Sequence, residues 1–170
     1  MAVNRWAWVC LGLLCWAVAA SALALHYYNA YRTYEALYTT TLAELGRLTV
    51  EVNILIDYGN GTRVWYNNTL VPLGSTLFNA TLMVAVVNYT FYKWPGQGYP
   101  NDMAVFVLAI NGVWNDPGKQ MAWLWWYWDP SEGKWVLGPV GCNHPNATVV
   151  DGGIYAWVYE SYASWPPPPP

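Results

Sequence analysis

Cys142 and His144 stand two residues apart in the stretch "GPVGCNHPN" and are the side chains of this chain best suited by type to chemistry. A thiolate and an imidazole at that spacing could hold a soft metal ion or act as nucleophile and base. A closed zinc site needs about four ligands, and neither a C-x-x-C nor an H-x-x-x-H companion accompanies the pair. Cys142 and His144 are therefore metal or catalytic candidates by residue type alone. The other histidine, His26, borders a long apolar segment, where an interfacial polar residue is ordinary. Asp57, Asp102, Asp116, Asp129, Glu132 and Asp151 mostly fall in stretches that read as turns, where a carboxylate serves local hydrogen bonds. Pairing any two of them for acid–base work has no support in their spacing. Phosphate loops, nucleophile elbows and dinucleotide fingerprints are missing as motifs. The expectation is a protein without catalytic residues.

Aromatic residues offer a different chemistry. The stretch "MAWLWWYWDPSEGKW", Met121 to Trp135, holds five of the 13 tryptophans. On an extended strand Trp123, Trp125 and Tyr127 share one face while Leu124, Trp126 and Trp128 share the other. One face must pack as core. The other, with Trp114 and Trp135, could form a platform that stacks on a sugar, a planar cofactor or an apolar protein surface. Trp114, Trp126, Trp128 and Trp135 are the candidate ligand-binding residues. The competing reading is that the whole hairpin is core, which suits a chain that must do without disulfides: Cys10 and Cys15 lie in the apolar segment and Cys142 stands alone beyond it.

Charged residues are 10% of the chain, against roughly 25% in an average soluble protein, and 18% are aromatic. The net charge of −3, without a basic cluster, argues against nucleic acid as a partner. From Trp6 to Leu25 twenty residues carry no formal charge, about the length needed to cross a hydrocarbon core as a helix. Residues 1–25 read as a transmembrane signal anchor or as a signal peptide, since "AASALA" also offers small-residue cleavage sites. Length favours the anchor. With Arg5 and the Met1 amine as the cationic flank, the remainder is expected outside the cell. Five N-x-T acceptors, at Asn60, Asn67, Asn79, Asn88 and Asn146, all lie beyond the apolar segment and are candidate glycosylation sites.

The elements that must position these residues follow from periodicity. Residues 26–48 place Tyr27, Tyr31, Tyr34, Tyr38, Thr41, Leu45 and Leu48 at alternating spacings of four and three, which predicts a helical stalk. Residues 49–162 read as the exported domain. A strand from Thr49 is expected to turn through "DYGNGT", with Asn60-Gly61 supplying the positive φ angles, into a strand over 62–71. A helix capped by Ser75 is expected over "TLFNATLMVAVV", its end blurred by strand-forming valines. A Gly/Pro loop leads to the strand "MAVFVLAI", an Asn111-Gly112 turn, the tryptophan hairpin with a return strand "WVLGPVG", and a last strand over 153–162. Residues 163–170 form a Pro-rich polyproline II tail expected to be disordered. Five or six strands with one packed helix make an α+β domain.

The runs "VNILIDYGNGTRVWYNNTLVPLGSTLFNATL", "AVFVLAINGVWN", "WLWWYWDPSEGKWVLGPVG" and "VVDGGIYAWVYE", in that order, resemble the family of transcobalamin-like C-terminal domains. The resemblance covers roughly residues 50–160. It implies a β-grasp-like fold with an antiparallel or mixed sheet, an exported module, and a corrinoid or other planar molecule as the kind of ligand its relatives meet. This chain lacks the large helical domain that closes on the corrinoid in vertebrate carriers, so a high-affinity carrier is not expected. The sequence thus reads as a membrane-anchored cell-surface binding module for a small planar or apolar molecule or a glycan, non-catalytic, or as a structural or protein-interaction subunit of the cell envelope.

Overall fold

The computed structural model describes residues 5–170, so the Met1 amine and the Arg5 side chain of the expected cationic flank lie outside the described side chains. The chain divides into two compact units at Gly46/Arg47. In the first, a single helix α1 (Arg5–Leu48) runs without interruption from the apolar segment through the expected stalk. It holds an 18-residue window of mean hydropathy 2.1, none of it buried, and is long and apolar enough to cross a membrane. The threonines that lower helix propensity are absorbed by bonding back to the preceding turn: Thr39 Oγ1 donates to the Glu35 carbonyl at 3.0 Å and Thr40 Oγ1 to that of Ala36 at 2.8 Å. Seam residues Tyr27, Tyr31, Tyr34, Tyr38, Leu45 and Leu48 are all exposed.

The second unit is a mixed α+β domain. Strands β1 (Thr49–Asp57), β2 (Arg63–Pro72), β6 (Met121–Asp129), β7 (Lys134–Leu137) and β8 (Ile154–Ser161) form a five-stranded sheet in the order β2-β1-β8-β6-β7. First and last strands, β1 and β8, lie side by side and parallel, and the other pairings are antiparallel. Between β2 and β6 the chain forms helix α2 (Leu77–Val84) and a second sheet, β3 (Val87–Lys93), β4 (Met103–Ile110) and β5 (Val113–Trp114), ordered β3-β4-β5.

Helix α2 buries Leu77, Phe78, Ala80 and Thr81, one stripe at helical spacing. Leu77, Phe78 and Ala80 join Ile54, Ile56, Trp123, Trp125, Tyr155 and Trp157 in the main core. Leu55, Trp126, Ala156 and Val158 form a smaller cluster on the opposite side of the same sheet, flanked by Trp135 and Leu137. Every core indole N–H is bonded: Trp123 to the Val113 carbonyl, Trp125 to that of Val140, Trp157 to Thr81 Oγ1 and Trp126 to Glu160 Oε1. Such satisfaction is what allows large aromatics to replace disulfides as the source of stability.

Several expectations change in detail. The first hairpin takes its positive φ angles from Gly59 (+69°) and Gly61 (+89°), while Asn60 instead accepts from the Thr62 N–H at 2.9 Å. Helix α2 starts after Thr76, not Ser75, and neither side chain caps it; Ser75 is buried and its carbonyl accepts from Val149 N–H at 2.9 Å. The helix stops at Val84. Val86 exchanges hydrogen bonds with Asn111, and the valines pass into β3, a strand that the run "NYTFYK" builds against β4. The return strand ends at Leu137 rather than continuing to Gly141; Gly138 N–H still donates to the Trp125 carbonyl at 2.8 Å, and Pro139, which follows, has no N–H to offer. In the tail Pro167 is buried, and Pro168, Pro169 and Pro170 line a crevice with Asp57, Gly59, Arg63, Val158 and Glu160.

Candidate functional site

Outward-facing residues of the small sheet build an open apolar cleft. On β3 and β4, Thr90 pairs with Phe106 and Tyr92 with Ala104, so Tyr92 and Phe106 project from one face; their rings meet edge to face at 5.9 Å. Tyr89 and Phe91 take the other face, where Tyr89 meets Phe78 of α2 at 4.8 Å. Trp114, set opposite Ala109 by the short β5, stands 54% exposed. Leu124 of β6, with Tyr162 and Trp165 beyond β8, completes a cleft of about 570 Å³. A second cleft of about 430 Å³ shares Tyr92 and Phe106 and adds Trp94 stacked on Tyr99 at 6.0 Å. The two therefore form one aromatic wall, whose charged lining is confined to Lys93.

Polar side chains hold this wall in place. Asn115 donates to the Val107 carbonyl at 2.8 Å and accepts from Trp123 N–H at 3.0 Å, tying β4 to β6. Asn143 accepts from Val105 N–H at 2.9 Å and donates to the Met103 carbonyl at 2.8 Å, a side-chain amide standing in for a neighbouring strand along β4. At the rim Asp116 pairs with Lys119 at 3.0 Å, and the lysine's hydrogen bond lowers the Asp116 pKa.

The four tryptophans singled out by sequence do not come together. Trp114 lines the main cleft. Trp126 is 3% exposed, wedged against Leu55 and Ala156, and is core rather than platform. Trp128 and Trp135 are half-buried and meet edge to face at 5.7 Å; Trp128 borders a separate cleft with Asp129, Asp151 and Tyr155. Tyr92, Phe106, Tyr162 and Trp165 were missed. For Tyr92 and Phe106 the signal was the alternation of "NYTFYK" against "MAVFVLAI", which marks a two-sided strand pair; Tyr162 and Trp165 follow the last strand and carried none.

Cys142 and His144 lie close to structural contacts of their own. Cys142 is buried, and desolvation pushes its thiol up to about 12. His144 Nδ1 accepts from Asn146 N–H at 3.0 Å, which leaves Nε2 to donate to the Gln97 carbonyl at 2.9 Å. Both ring nitrogens are thus spent on fixing loops. Among the described residues no group of three or more His, Cys, Asp or Glu side chains converges as a metal site. All five sequon asparagines, Asn60, Asn67, Asn79, Asn88 and Asn146, are exposed.

No family model and no curated protein matches the chain. Among solved structures, a protein of Ruminococcus gnavus to which metal binding has been attributed is similar at 12% identity and a TM-score of 0.48, over 66% of this chain and 97% of that one.

Proposed function

We propose that this chain is a membrane-anchored binding module of the cell surface, in which residues 6–25 of α1 hold the domain at the bilayer and the aromatic cleft at Trp114 captures a small planar or apolar molecule. The observation that carries the reading is the cleft: five aromatic rings line about 570 Å³ of open space without a charged side chain. Large exposed apolar surface of this kind costs solubility and is typical of interaction sites. A planar ligand gains stacking and apolar burial there, and a corrinoid belongs to that class.

The strand order supports a β-grasp-like domain, with parallel first and last strands at the centre of the sheet and α2 across one face. An outside location is consistent with the five exposed sequons, which make the domain a candidate glycoprotein. A non-catalytic role fits the inert state of Cys142 and the occupied ring of His144.

The seam of exposed tyrosines on α1 favours a second reading, a structural or protein-interaction subunit of the envelope that meets a cell-surface protein through residues 26–48. Thermal-shift screening of the full chain in detergent, paired with sedimentation over a range of concentrations, separates the two. Saturable stabilisation by a planar molecule, lost in Trp114→Ala, supports ligand capture. Assembly that depends on concentration and is lost in Tyr31→Ser/Tyr38→Ser, without any stabilising ligand, supports the second.

A further inference from the structure

Two of the five sequons occupy special places in the sheets. Among the described residues four strands have a free edge: β2 and β7 on the larger sheet, β3 and β5 on the smaller. A free edge presents unpaired N–H and C=O groups to any other strand, and proteins block it by brevity, charge, proline or a bulge. Brevity protects β7, four residues beginning at Lys134, and β5, two residues. The long edges are β2, of ten residues, and β3, of seven. Asn67 lies on β2 and Asn88 on β3, whereas Asn60 lies between β1 and β2, Asn79 on α2 and Asn146 in a short turn of helix.

Charge and proline are scarce on both long edges. Residues 64–71 of β2, "VWYNNTLV", and 87–92 of β3, "VNYTFY", contain neither. Both runs are rich in β-formers, and Trp65, Leu70, Tyr89 and Phe91 are exposed on them. Uncharged β-forming segments of this length are the kind that pair edge to edge between chains. At each sequon the ladder is irregular. Asn67 and Asn68 together oppose Asn53, with Asn68 at a φ of +53° and its N–H bonded to Asn53 Oδ1 at 3.0 Å. On β3 the register slips between Asn88, opposite Ala109, and Tyr89, opposite Val107. Such bulges interrupt a regular edge and re-aim the side chains beside them. Asn67 and Asn88 are both exposed at these points.

We propose that Asn67 and Asn88 carry N-linked glycans that block the two long sheet edges against pairing with a strand of another chain. The hydrated bulk of a glycan supplies there what brevity supplies at β5 and β7. The inference rests on the outside location proposed above, because N-linked glycans are added to exported chains, and it is independent of the aromatic cleft at Trp114.

The test starts with mass mapping of the full chain purified from its native membrane, where glycan is expected on Asn67 and Asn88. Three double variants produced in the same host are then compared with the parent in detergent by sedimentation and thioflavin binding. Asn67→Gln/Asn88→Gln should form thioflavin-positive aggregates at least tenfold faster than the parent, whereas Asn79→Gln/Asn146→Gln should stay within about twofold of it. Asn67→Lys/Asn88→Lys, which has no glycan at these positions but a charge on each edge, should return the rate towards that of the parent. Should the Gln variant fail to fold, enzymatic removal of glycan from the folded parent makes the same comparison. Protease added to intact cells separates the two levels of the account. A domain that is digested from outside but bears no glycan at Asn67 or Asn88 overturns this proposal and keeps the outside location. A domain protected from the protease overturns both. Glycan on both asparagines, with Asn67→Gln/Asn88→Gln no faster to aggregate than Asn79→Gln/Asn146→Gln, overturns the edge-blocking role.

Discussion

The indole N–H of Trp126 donates to Glu160 Oε1 at 2.8 Å, from the middle of β6 to the end of β8, where Glu160 lines a crevice together with the C-terminal prolines. Burial pushes the Glu160 carboxyl up from 4.5 to about 7; Trp126 opposes that rise and the charge of Asp57 adds to it. Asp57 is itself paired with Arg63 at 2.7 Å.

One consequence is a pH dependence of unusual direction. Between pH 4.5 and about 7 folded Glu160 keeps a proton that the unfolded chain has released, so this group's contribution to stability falls as the pH rises through that window. Denaturant titrations at pH 5 and pH 8 should show the loss in the parent chain. Glu160→Gln, neutral at both values, should flatten that part of the profile.

Thr81 and Trp157 offer a buried test of the helix–sheet contact. Trp157 Nε1 donates to Thr81 Oγ1 at 2.7 Å, and Thr81 Oγ1 in turn donates to the Leu77 carbonyl at 2.7 Å. Thr81→Val keeps the shape and strands the indole N–H, at a cost of about 1–3 kcal/mol. Thr81→Ser should recover most of the loss in the same equilibrium unfolding measurement.

Gly138 is required by its neighbour. With a Cβ at this position only 1.9 Å from the Trp125 ring, Gly138→Ala must displace a core indole whose Nε1 bonds the Val140 carbonyl at 2.8 Å. Overpacking of this kind costs about 1–3 kcal/mol. The lowered midpoint should appear in thermal melts, together with a changed near-ultraviolet tryptophan signal.

Much of this architecture is legible in the sequence where period and turn chemistry agree. The alternation of Val50, Val52, Ile54 and Ile56, the Asn111-Gly112 turn with both φ angles positive, and the two faces of the tryptophan strand all stand as read. What escaped depended on contacts distant in sequence. "NYTFYK" becomes a strand because β4 offers it a partner, and Gly138 must be glycine because the Trp125 ring packs against it. The candidate site was half legible for the same reason. Trp114 is recognisable as an exposed aromatic, but only the packing of two sheets decides that Trp126 is core and that Tyr92 and Phe106 share the cleft. The coarse α+β class depends on local pattern, whereas the cleft depends on how the second sheet meets β6.

Cys142 should behave as a core atom. In a chain carrying Cys10→Ala and Cys15→Ala, a thiol reagent at pH 8 should modify the remaining cysteine only as fast as the domain unfolds, since its thiol is buried and raised to about 12. Fast modification of the folded chain would revive Cys142 as a reactive group.

The central claim is that the cleft lined by Trp114, Tyr92 and Phe106 holds a planar or apolar molecule. It is tested most directly by titrating the tryptophan emission of the full chain in detergent with corrinoids, porphyrins and planar aromatic dyes, alongside Trp114→Ala. Saturable quenching by at least one of these is expected, weakened tenfold or more in Trp114→Ala, while the variant's stability stays within about 0.5 kcal/mol of the parent because the side chain is exposed. Emission unchanged across the set, or quenching identical in the parent and the variant, would contradict it.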